Sequence, residues 1–254
     1  MSITLKSTRE IDRMRTAGQI VAETHELLRE MVRPGVTTGE LDRRAHEYIV
    51  ESGGDPAFLG YHGFPGSICT SVNEQIVHGI PGERVLEEGD IVSIDVGVIY
   101  QGYHGDAART RAVGSVSREV AALIEATEGA FWAGLEYARA DQRLGDVSAA
   151  IQAYAESQGF FVVRKYVGHG IGRDMHEAPQ VPNYGDPGTG IRLRKGMTLA
   201  IEPMLNIGGE DTRELDDGWT VVTASGGYSA HYENTVLITD GDPEVLTRVA
   251  TAVV

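Results

Sequence analysis

Alternating apolar and polar residues follow Gly89 and predict a β-strand with one buried face. The apolar face carries Val92, Ile94, Val96, Val98 and Tyr100, and the opposite face carries Ser93, Asp95, Gly97 and Ile99. Gln101-Gly102 then predicts a two-residue turn, so the chain returns as a second antiparallel strand. In that register Asp106 lies opposite Gly97 and diagonal to Asp95, about 7–8 Å away at Cα.

Acids within an apolar strand are costly unless they are paired or bind a metal. The diagonal placement of Asp95 and Asp106 therefore predicts that the two carboxylates converge on one or two cations. Gly97, opposite Asp106, leaves room for them. This stretch alone is equally compatible with a hairpin whose aspartates are solvated on its polar face.

Helical periodicity predicts four helices. Ser7 with Glu10, and Thr37 with Glu40, fit the capping boxes that begin the first two helices. The four helices are Ser7–Met31, Thr37 to the stop at Gly53-Gly54, Ser117–Ala140 and Asp146–Gln158. Further strands are predicted at Ser67–Val72, Thr110–Val113, Phe160–Tyr166, Thr198–Met204, Trp219–Thr223 and Thr235–Thr239. Antiparallel strands covered by helices indicate an α+β fold.

Five short motifs occur twice, in the same order. The glycine-to-acid runs Gly89–Asp95 and Gly196–Glu202 match, as do His104-Gly-Asp106 and His231-Tyr-Glu233. The other pairs are Glu51–Gly54 with Glu156–Gly159, Tyr61–Gly63 with Gly168–Gly170, and His78–Pro81 with His176–Pro179. Five matches in order indicate an internal duplication. We predict one catalytic domain, 1–254, with repeats at roughly 37–113 and 143–239 and a pseudo-two-fold axis between them.

Composition narrows the functional classes. The net charge of −15 disfavours a nucleic-acid partner, because phosphate contacts need clustered cations. The single cysteine, Cys69, excludes an internal disulfide and is typical of a reducing compartment. The N-terminal residues lack the apolar run of a signal peptide, and no stretch reaches the ~20 apolar residues of a membrane span. These features predict a cytoplasmic protein without a membrane partner.

Five blocks of the sequence resemble the type I methionine aminopeptidases. The blocks are GYHGFPGSICTSVNEQIVHGIP, SIDVGVIYQGYHGDAART, GHGIGRDMHEAPQVPNYG, LAIEPM and AHYENTV, and the likeness runs from about Ser7 to Leu246. The resemblance implies the pita-bread fold, in which two αβ halves surround a dinuclear metal site. It also implies removal of the initiator methionine from nascent proteins whose second residue is small.

The resemblance assigns five metal ligands: Asp95, Asp106, His169, Glu202 and Glu233. It implies that Asp106 and Glu233 bridge two divalent ions, that Asp95 holds one ion, and that His169 and Glu202 hold the other. Ligation by many oxygens and one nitrogen suits Mn, Fe(II), Co or Zn. The family chemistry implies that a metal-bridged water attacks the scissile carbonyl while Glu202 shuttles the proton.

Substrate-binding residues are also implied by the resemblance. His176 is expected to stabilise the oxyanion, and His78 to contact the amide beyond the scissile bond. The expected methionine pocket comprises Phe58, Tyr61, Phe64, Cys69, Met175 and Trp219. Phe64 and Met175 depart from the family pattern, where tyrosine and another aromatic residue are frequent. Single histidines in glycine-rich turns are usually structural, which is the expectation for His62 and His104. His231 either orients Glu233 or is merely exposed.

Other functions remain open from the sequence. One alternative within the fold is an exopeptidase for other N-terminal residues, such as Xaa-Pro cleavage. A non-enzymatic binding module of this shape is expected to lack metal ligands, and none of the five is lost. A two-metal phosphoesterase is disfavoured by the charge of −15. The expected partners are the N-terminal Met peptides of nascent chains, with transient ribosome association and a monomeric state.

Overall fold

A computed structural model describes residues 3–248, so the first two and last six residues of the predicted domain lie outside the described part. The helices are α1 (Thr8–Met31), α2 (Thr38–Glu51), α3 (Arg118–Leu135) and α4 (Leu144–Ser157). The first eight strands are β1 (Asp55–Pro56), β2 (Cys69–Val72), β3 (Gln75–Val77), β4 (Ile91–Tyr100), β5 (Tyr103–Ala112), β6 (Phe161–Val162), β7 (Gly168–Gly170) and β8 (Glu177–Val181). The remaining strands are β9 (Thr198–Ile201), β10 (Met204–Asn206), β11 (Thr212–Glu214), β12 (Val221–Thr223), β13 (Ser229–His231), β14 (Asn234–Leu237) and β15 (Glu244–Val245).

The predicted hairpin forms in the expected register. Strands β4 and β5 pair antiparallel, with Gly97 opposite Asp106 and Tyr100 opposite Tyr103. Gln101 and Gly102 both adopt positive φ, 49° and 77°, as a tight hairpin turn requires. Val92, Ile94, Val96 and Val98 join one core cluster with Leu28, Leu41 and Ile49 of α1 and α2. The alternative in which the aspartates are solvated is wrong for Asp106, because that residue is only 4% exposed.

The strands form four antiparallel sheets within residues 3–248. Their orders are β1-β4-β2 with β5 on β4, β13-β10-β6, β11-β12-β3, and β15-β14-β9-β7-β8. Helices α3 and α4 pack on a second large core that contains Leu123, Phe131, Ile151 and Leu199. A third apolar cluster, with Phe58, Phe64 and Met175, lies beside the acidic residues described below. None of the helices in the described range is long and apolar enough to cross a membrane.

Some predicted boundaries differ from the structure. The predicted strand Thr198–Met204 is interrupted at Glu202 and Pro203, which separate β9 from β10. Proline has no N–H with which to bond a neighbouring strand. Helix α3 ends at Leu135, where Tyr137 and Ala138 donate to Gly134 and Leu135 in tight turns. The strand predicted at Thr110–Val113 is the end of β5, and Trp219 precedes β12.

Candidate metal centre and active site

The hairpin of β4 and β5 contributes two acids to one buried site. Asp95 lies opposite Cys69 of β2 and Ala108 of β5. The main chain of Asp106 is fixed by Thr235 of β14, whose hydroxyl accepts from Asp106 N at 3.0 Å and donates to Asp106 O at 2.9 Å. This reciprocal pair of hydrogen bonds ties the hairpin to the sheet that contributes the remaining acids.

Gly97 provides the space that the site needs. A Cβ on Gly97 would lie 2.7 Å from Phe58 Cε1 and 3.0 Å from Met175 Cε, so a larger residue would displace the apolar wall. The sequence predicted room for the carboxylates at Gly97, but the atoms nearest to a Cβ there belong to the apolar wall.

The second part of the chain contributes His169, Glu202 and Glu233. His169 is the middle residue of β7, Glu202 follows β9, and Glu233 lies between β13 and β14. Glu233 N donates to Ala108 O at 3.0 Å, which brings this acid against the hairpin. On the far side, the Arg109 guanidinium donates to the main-chain oxygen of Glu233 and to Asn234 Oδ1.

The tautomer of His169 is set by its main-chain contact. Nδ1 lies 2.9 Å from Gly170 O, so this nitrogen carries the proton and donates. Nε2 is then the nitrogen with a free lone pair, and it lies 3.6 Å from Glu202 Oε1. Burial lowers the pKa of His169 to about 3, which keeps the ring neutral and suited to metal ligation.

The ligand atoms converge closely enough for metal binding. Ligand atoms of Asp106, His169 and Glu233 lie within 4.8 Å of one another, as do those of Asp95, His231 and Glu233. Asp95 Oδ1, Asp106 Oδ1 and Glu233 Oε1 are buried without a hydrogen-bond partner. Buried carboxylate oxygens without donors are costly. The donor set therefore fits divalent cations, which would neutralise these acids.

The electrostatics of the acids agree with this fit. Burial raises the pKa of Asp95 to about 7 and that of Glu202 to about 8. Burial, followed by repulsion from the neighbouring acids, raises the pKa values of Asp106 and Glu233 well above their usual range. Positive charge within the cluster would reverse these shifts and hold the carboxylates ionised.

The acids open into a cavity of about 430 Å³. Its lining residues are Phe58, Tyr61, His62, Phe64, Cys69, His78, Asp95, Asp106, His169, His176, Glu202, Trp219 and Glu233. The cavity is thus lined by all but one of the site residues that were predicted from the sequence. Met175 is the exception: it is buried in the apolar cluster with Phe58 and Phe64, behind the cavity wall.

Two histidines face the cavity from opposite parts of the chain. His176 Nδ1 lies 2.8 Å from the Tyr61 hydroxyl, and its ring centroid is 4.2 Å from that of His169. His78 adopts positive φ, 60°, and packs edge-on against Tyr166 and Trp219. Burial lowers the pKa of both rings, that of His78 to about 4, so both are neutral hydrogen-bonding groups near pH 7.

Some residues at the site were missed or left open by the sequence. His231 is only 2% exposed, which excludes the exposed alternative. Its unpartnered Nε2 lies 3.7 Å from Glu233 Oε2 and 3.8 Å from Glu202 Oε2. Arg109 and Tyr166 were not predicted as site residues, because each contacts residues that are far away in the sequence. His62 lines the cavity mouth, whereas His104 is buried against Gly172 O.

The site is that of a metal-dependent hydrolase: buried acids and a histidine surround an apolar-walled cavity in an α+β fold. The sequence profile of metallopeptidase family M24 matches residues 12–240, and the chain belongs to this family. It is 57% identical to the methionine aminopeptidase of Clostridium perfringens over 97% of this chain and 99% of that protein. It is 52% identical to methionine aminopeptidase 1 of Bacillus subtilis over 97% and 100% of the two chains.

Solved structures agree with these sequence matches. The methionine aminopeptidase of Thermotoga maritima superposes with a TM-score of 0.96 at 46% identity, covering 97% of this chain and all of that one. A prolidase from Pyrococcus furiosus, at 22% identity, superposes with a TM-score of 0.78 over 97% of this chain and 66% of its own. The predicted pita-bread fold is confirmed by these matches.

Proposed function

We propose that the chain is a methionyl aminopeptidase that removes the initiator methionine from nascent proteins whose second residue is small. The observation that carries the proposal is the cluster of buried, unpartnered carboxylate oxygens at the floor of a cavity with aromatic walls. The sequence relatives described above support it, because they are named methionine aminopeptidases and match nearly the whole chain.

The proposed ligands are Asp95, Asp106, His169, Glu202 and Glu233, holding two divalent ions drawn from Mn, Fe(II), Co and Zn. When bound, such ions polarise a carbonyl oxygen and lower the pKa of water. Glu202 is proposed to take the proton from the attacking water and pass it to the leaving amine. Its partly exposed carboxylate at the cavity floor supports this role.

The histidines would act on the two sides of the scissile amide. If the Tyr61 hydroxyl donates to Nδ1 of His176, Nε2 of His176 carries the ring proton and is a donor for the developing oxyanion. His78, held by the rings of Tyr166 and Trp219, would contact the next amide. Phe58, Tyr61, Phe64, Cys69 and Trp219 supply the apolar wall for a methionine side chain, with Met175 packed behind them.

The test is hydrolysis of Met-Ala-Ser by metal-stripped protein refilled separately with Mn, Fe(II), Co or Zn. We expect free methionine to be released by at least one metal form and by none of the stripped samples. Ala-Pro-Ser serves as the competing substrate. Faster cleavage of Ala-Pro-Ser would replace the proposal with an Xaa-Pro exopeptidase, and no hydrolysis of either peptide would overturn it.

Transient ribosome association, a monomeric state and a cytoplasmic location are expectations from the sequence that accompany this proposal. Sedimentation of the purified protein with and without ribosomes tests the first two together. A species of about 27.4 kDa that co-sediments reversibly with ribosomes is the expected result.

A further inference from the structure

The N-terminal segment before α1 forms a buried ion pair with the loop that carries His176. Lys6 Nζ lies 2.5 Å from Glu177 Oε2, and the two side chains are 3% and 11% exposed. In the other Lys and Arg ion pairs of residues 3–248, at least one partner is 41% exposed or more. This pair is therefore buried on both sides, unlike the exposed pairs, which contribute little to stability.

Glu177 closes the loop between β7 and β8. Its Oε1 accepts from Arg173 N at 2.9 Å and from Asp174 N at 3.4 Å, while its Oε2 faces Lys6. A Cβ on Gly172 would lie 2.4 Å from Lys6 Cε and 2.5 Å from Glu177 Oε1. Glycine at this position is what lets the ion pair sit directly against the loop backbone.

The main chain of Lys6 is itself anchored at the same end of this sheet, where β9 begins beside the end of β7. Its main-chain nitrogen donates to Gly196 O at 2.7 Å, in the turn that precedes β9. The segment thus links the turn before β9 to the loop before β8. This main-chain bond orders the backbone of Lys6 independently of the ion pair, so the pair itself costs only side-chain rotamer freedom.

His176, next to Glu177, is an exposed residue whose ring packs against the rings of Tyr61 and His169. It lines the active-site cavity on one side and a second cavity of about 250 Å³ on the other, which Lys6, Tyr103, Arg173 and Glu177 also line. The ring touches the Tyr61 hydroxyl through Nδ1. The ring is therefore placed by these ring contacts together with the loop backbone, so a displaced loop would shift it against Tyr61 and His169.

We propose that Lys6 and Glu177 are positioning residues that hold the 172–177 loop, and with it the His176 ring, in the place needed for the reaction. The inference rests on the proposed function for the role of His176. Removing one charge leaves the other buried without a partner, which is strongly unfavourable. In Lys6→Met, Glu177 is therefore expected to turn towards water and release the amides of Arg173 and Asp174.

Steady-state hydrolysis of Met-Ala-Ser by metal-loaded full-length protein tests the proposal. Lys6→Met is expected to lower kcat on the order of tenfold to 100-fold, the scale of a misplaced catalytic group, with metal content unchanged. Lys195→Met is the matched control, because the Lys195–Asp240 pair is 68% exposed on both sides, and we expect wild-type kinetics from it. If Lys6→Met does not fold, Glu177→Gln takes its place.

A double-mutant cycle separates positioning from a general loss of structure. In a His176→Ala background, Lys6→Met is expected to change kcat by less than about twofold, because interacting residues are non-additive. An equal fold-loss in both backgrounds would overturn the proposal. Hydrogen exchange supplies a readout independent of turnover: the Arg173 and Asp174 amides should exchange faster in Lys6→Met than in Lys195→Met.

These readouts distinguish the two possible failures. If wild-type protein does not cleave Met-Ala-Ser, the proposed function fails, and the exchange comparison alone decides whether the ion pair holds the loop. If wild-type protein is active but Lys6→Met retains full kcat, or exchange at Arg173 and Asp174 is unchanged, the positioning role is wrong.

Discussion

Single residues at the cavity floor carry charges that the surrounding protein does not neutralise. Asp95, Asp106 and Glu233 each keep one buried oxygen without a donor. Glu202 differs, because neither of its carboxylate oxygens is among these buried atoms, and the carboxylate lies 3.6 Å from His169 Nε2 and 3.8 Å from His231 Nε2. The access of the cavity to both oxygens favours Glu202 over the other acids as the group that exchanges protons.

Replacing Glu202 tests that assignment. Glu202→Gln keeps the size of the side chain but removes its charge and its ability to accept a proton. We expect kcat on Met-Ala-Ser to fall by on the order of 10²–10⁴-fold, the contribution of a general acid–base group. Metal analysis of the same samples is the control. A variant that retains its metal and most of its kcat would show that another group moves the proton.

A second residue-scale effect concerns His25 in α1. The His25 ring is 5% exposed, and its Nε2 lies 2.8 Å from Ala107 O. Burial, followed by repulsion from Arg109, lowers the pKa of His25 from 6.5 to about 3. Below pH 6.5 the unfolded chain therefore binds a proton at His25 that the native protein does not bind. The free energy of unfolding consequently falls as the pH drops from 6.5 towards 3.

Urea unfolding at several pH values between 7 and 4 measures this linkage. His25→Gln should flatten the slope by up to one proton, about 1.4 kcal/mol per pH unit. His46→Gln, at a less buried histidine, corrects for general effects of the substitution. Parallel slopes for wild type and His25→Gln would contradict a buried neutral ring in the native state.

At the scale of elements, helix α1 and strand β5 approach at two glycines. A Cβ on Gly105 would lie 2.8 Å from Gly18 N, and a Cβ on Gly18 would lie 2.2 Å from Leu246 O. Gly105 immediately precedes Asp106, so this contact also fixes where the acid enters the site. Backbone-to-backbone packing of this kind leaves no flexible side chain that could yield.

Gly105→Ala should therefore move α1 away from β5. We expect a loss of about 1–3 kcal/mol in the free energy of unfolding, typical of an overpacked core. Gly82→Ala is the control, because a Cβ there meets nothing within 4 Å. Denaturant unfolding of both variants makes the comparison, and equal stabilities would mean that the helix and strand can separate at no cost.

The sequence predicted those elements whose signal is contained in a few neighbouring residues. The capping boxes at Ser7 and Thr37 and the β4–β5 register follow from neighbouring residues, and the structure shows both. The short strands β7, β11 and β13 carry too few residues for a period to appear. The burial of His231 and the contacts of Arg109 arise only when distant strands pair.

At the scale of the whole molecule, the cavity collects groups from both ends of the chain. Phe58, Tyr61 and His78 come from before β4, whereas His176 and Trp219 come from after β7. Tyr61 and His176 touch across the cavity mouth, and the ring of His62 lies 4.4 Å from that of Tyr61. Rings therefore crowd the region just outside the acids from both sides.

This crowding predicts selectivity at the second residue of the substrate. With methionine held against the apolar wall, we expect the next side chain to lie near His78 and His62, which line the same cavity. Peptides with Gly, Ala, Ser, Pro or Thr after methionine should be cleaved, and those with Leu, Lys or Phe should not. A bulky second residue raises the reaction barrier for its peptide, so we expect the difference between peptides to appear in kcat/KM. A Met-X-Ser series measures it, and equal kcat/KM for X = Ala and X = Leu, or better cleavage of a peptide that does not begin with methionine, would favour a general exopeptidase.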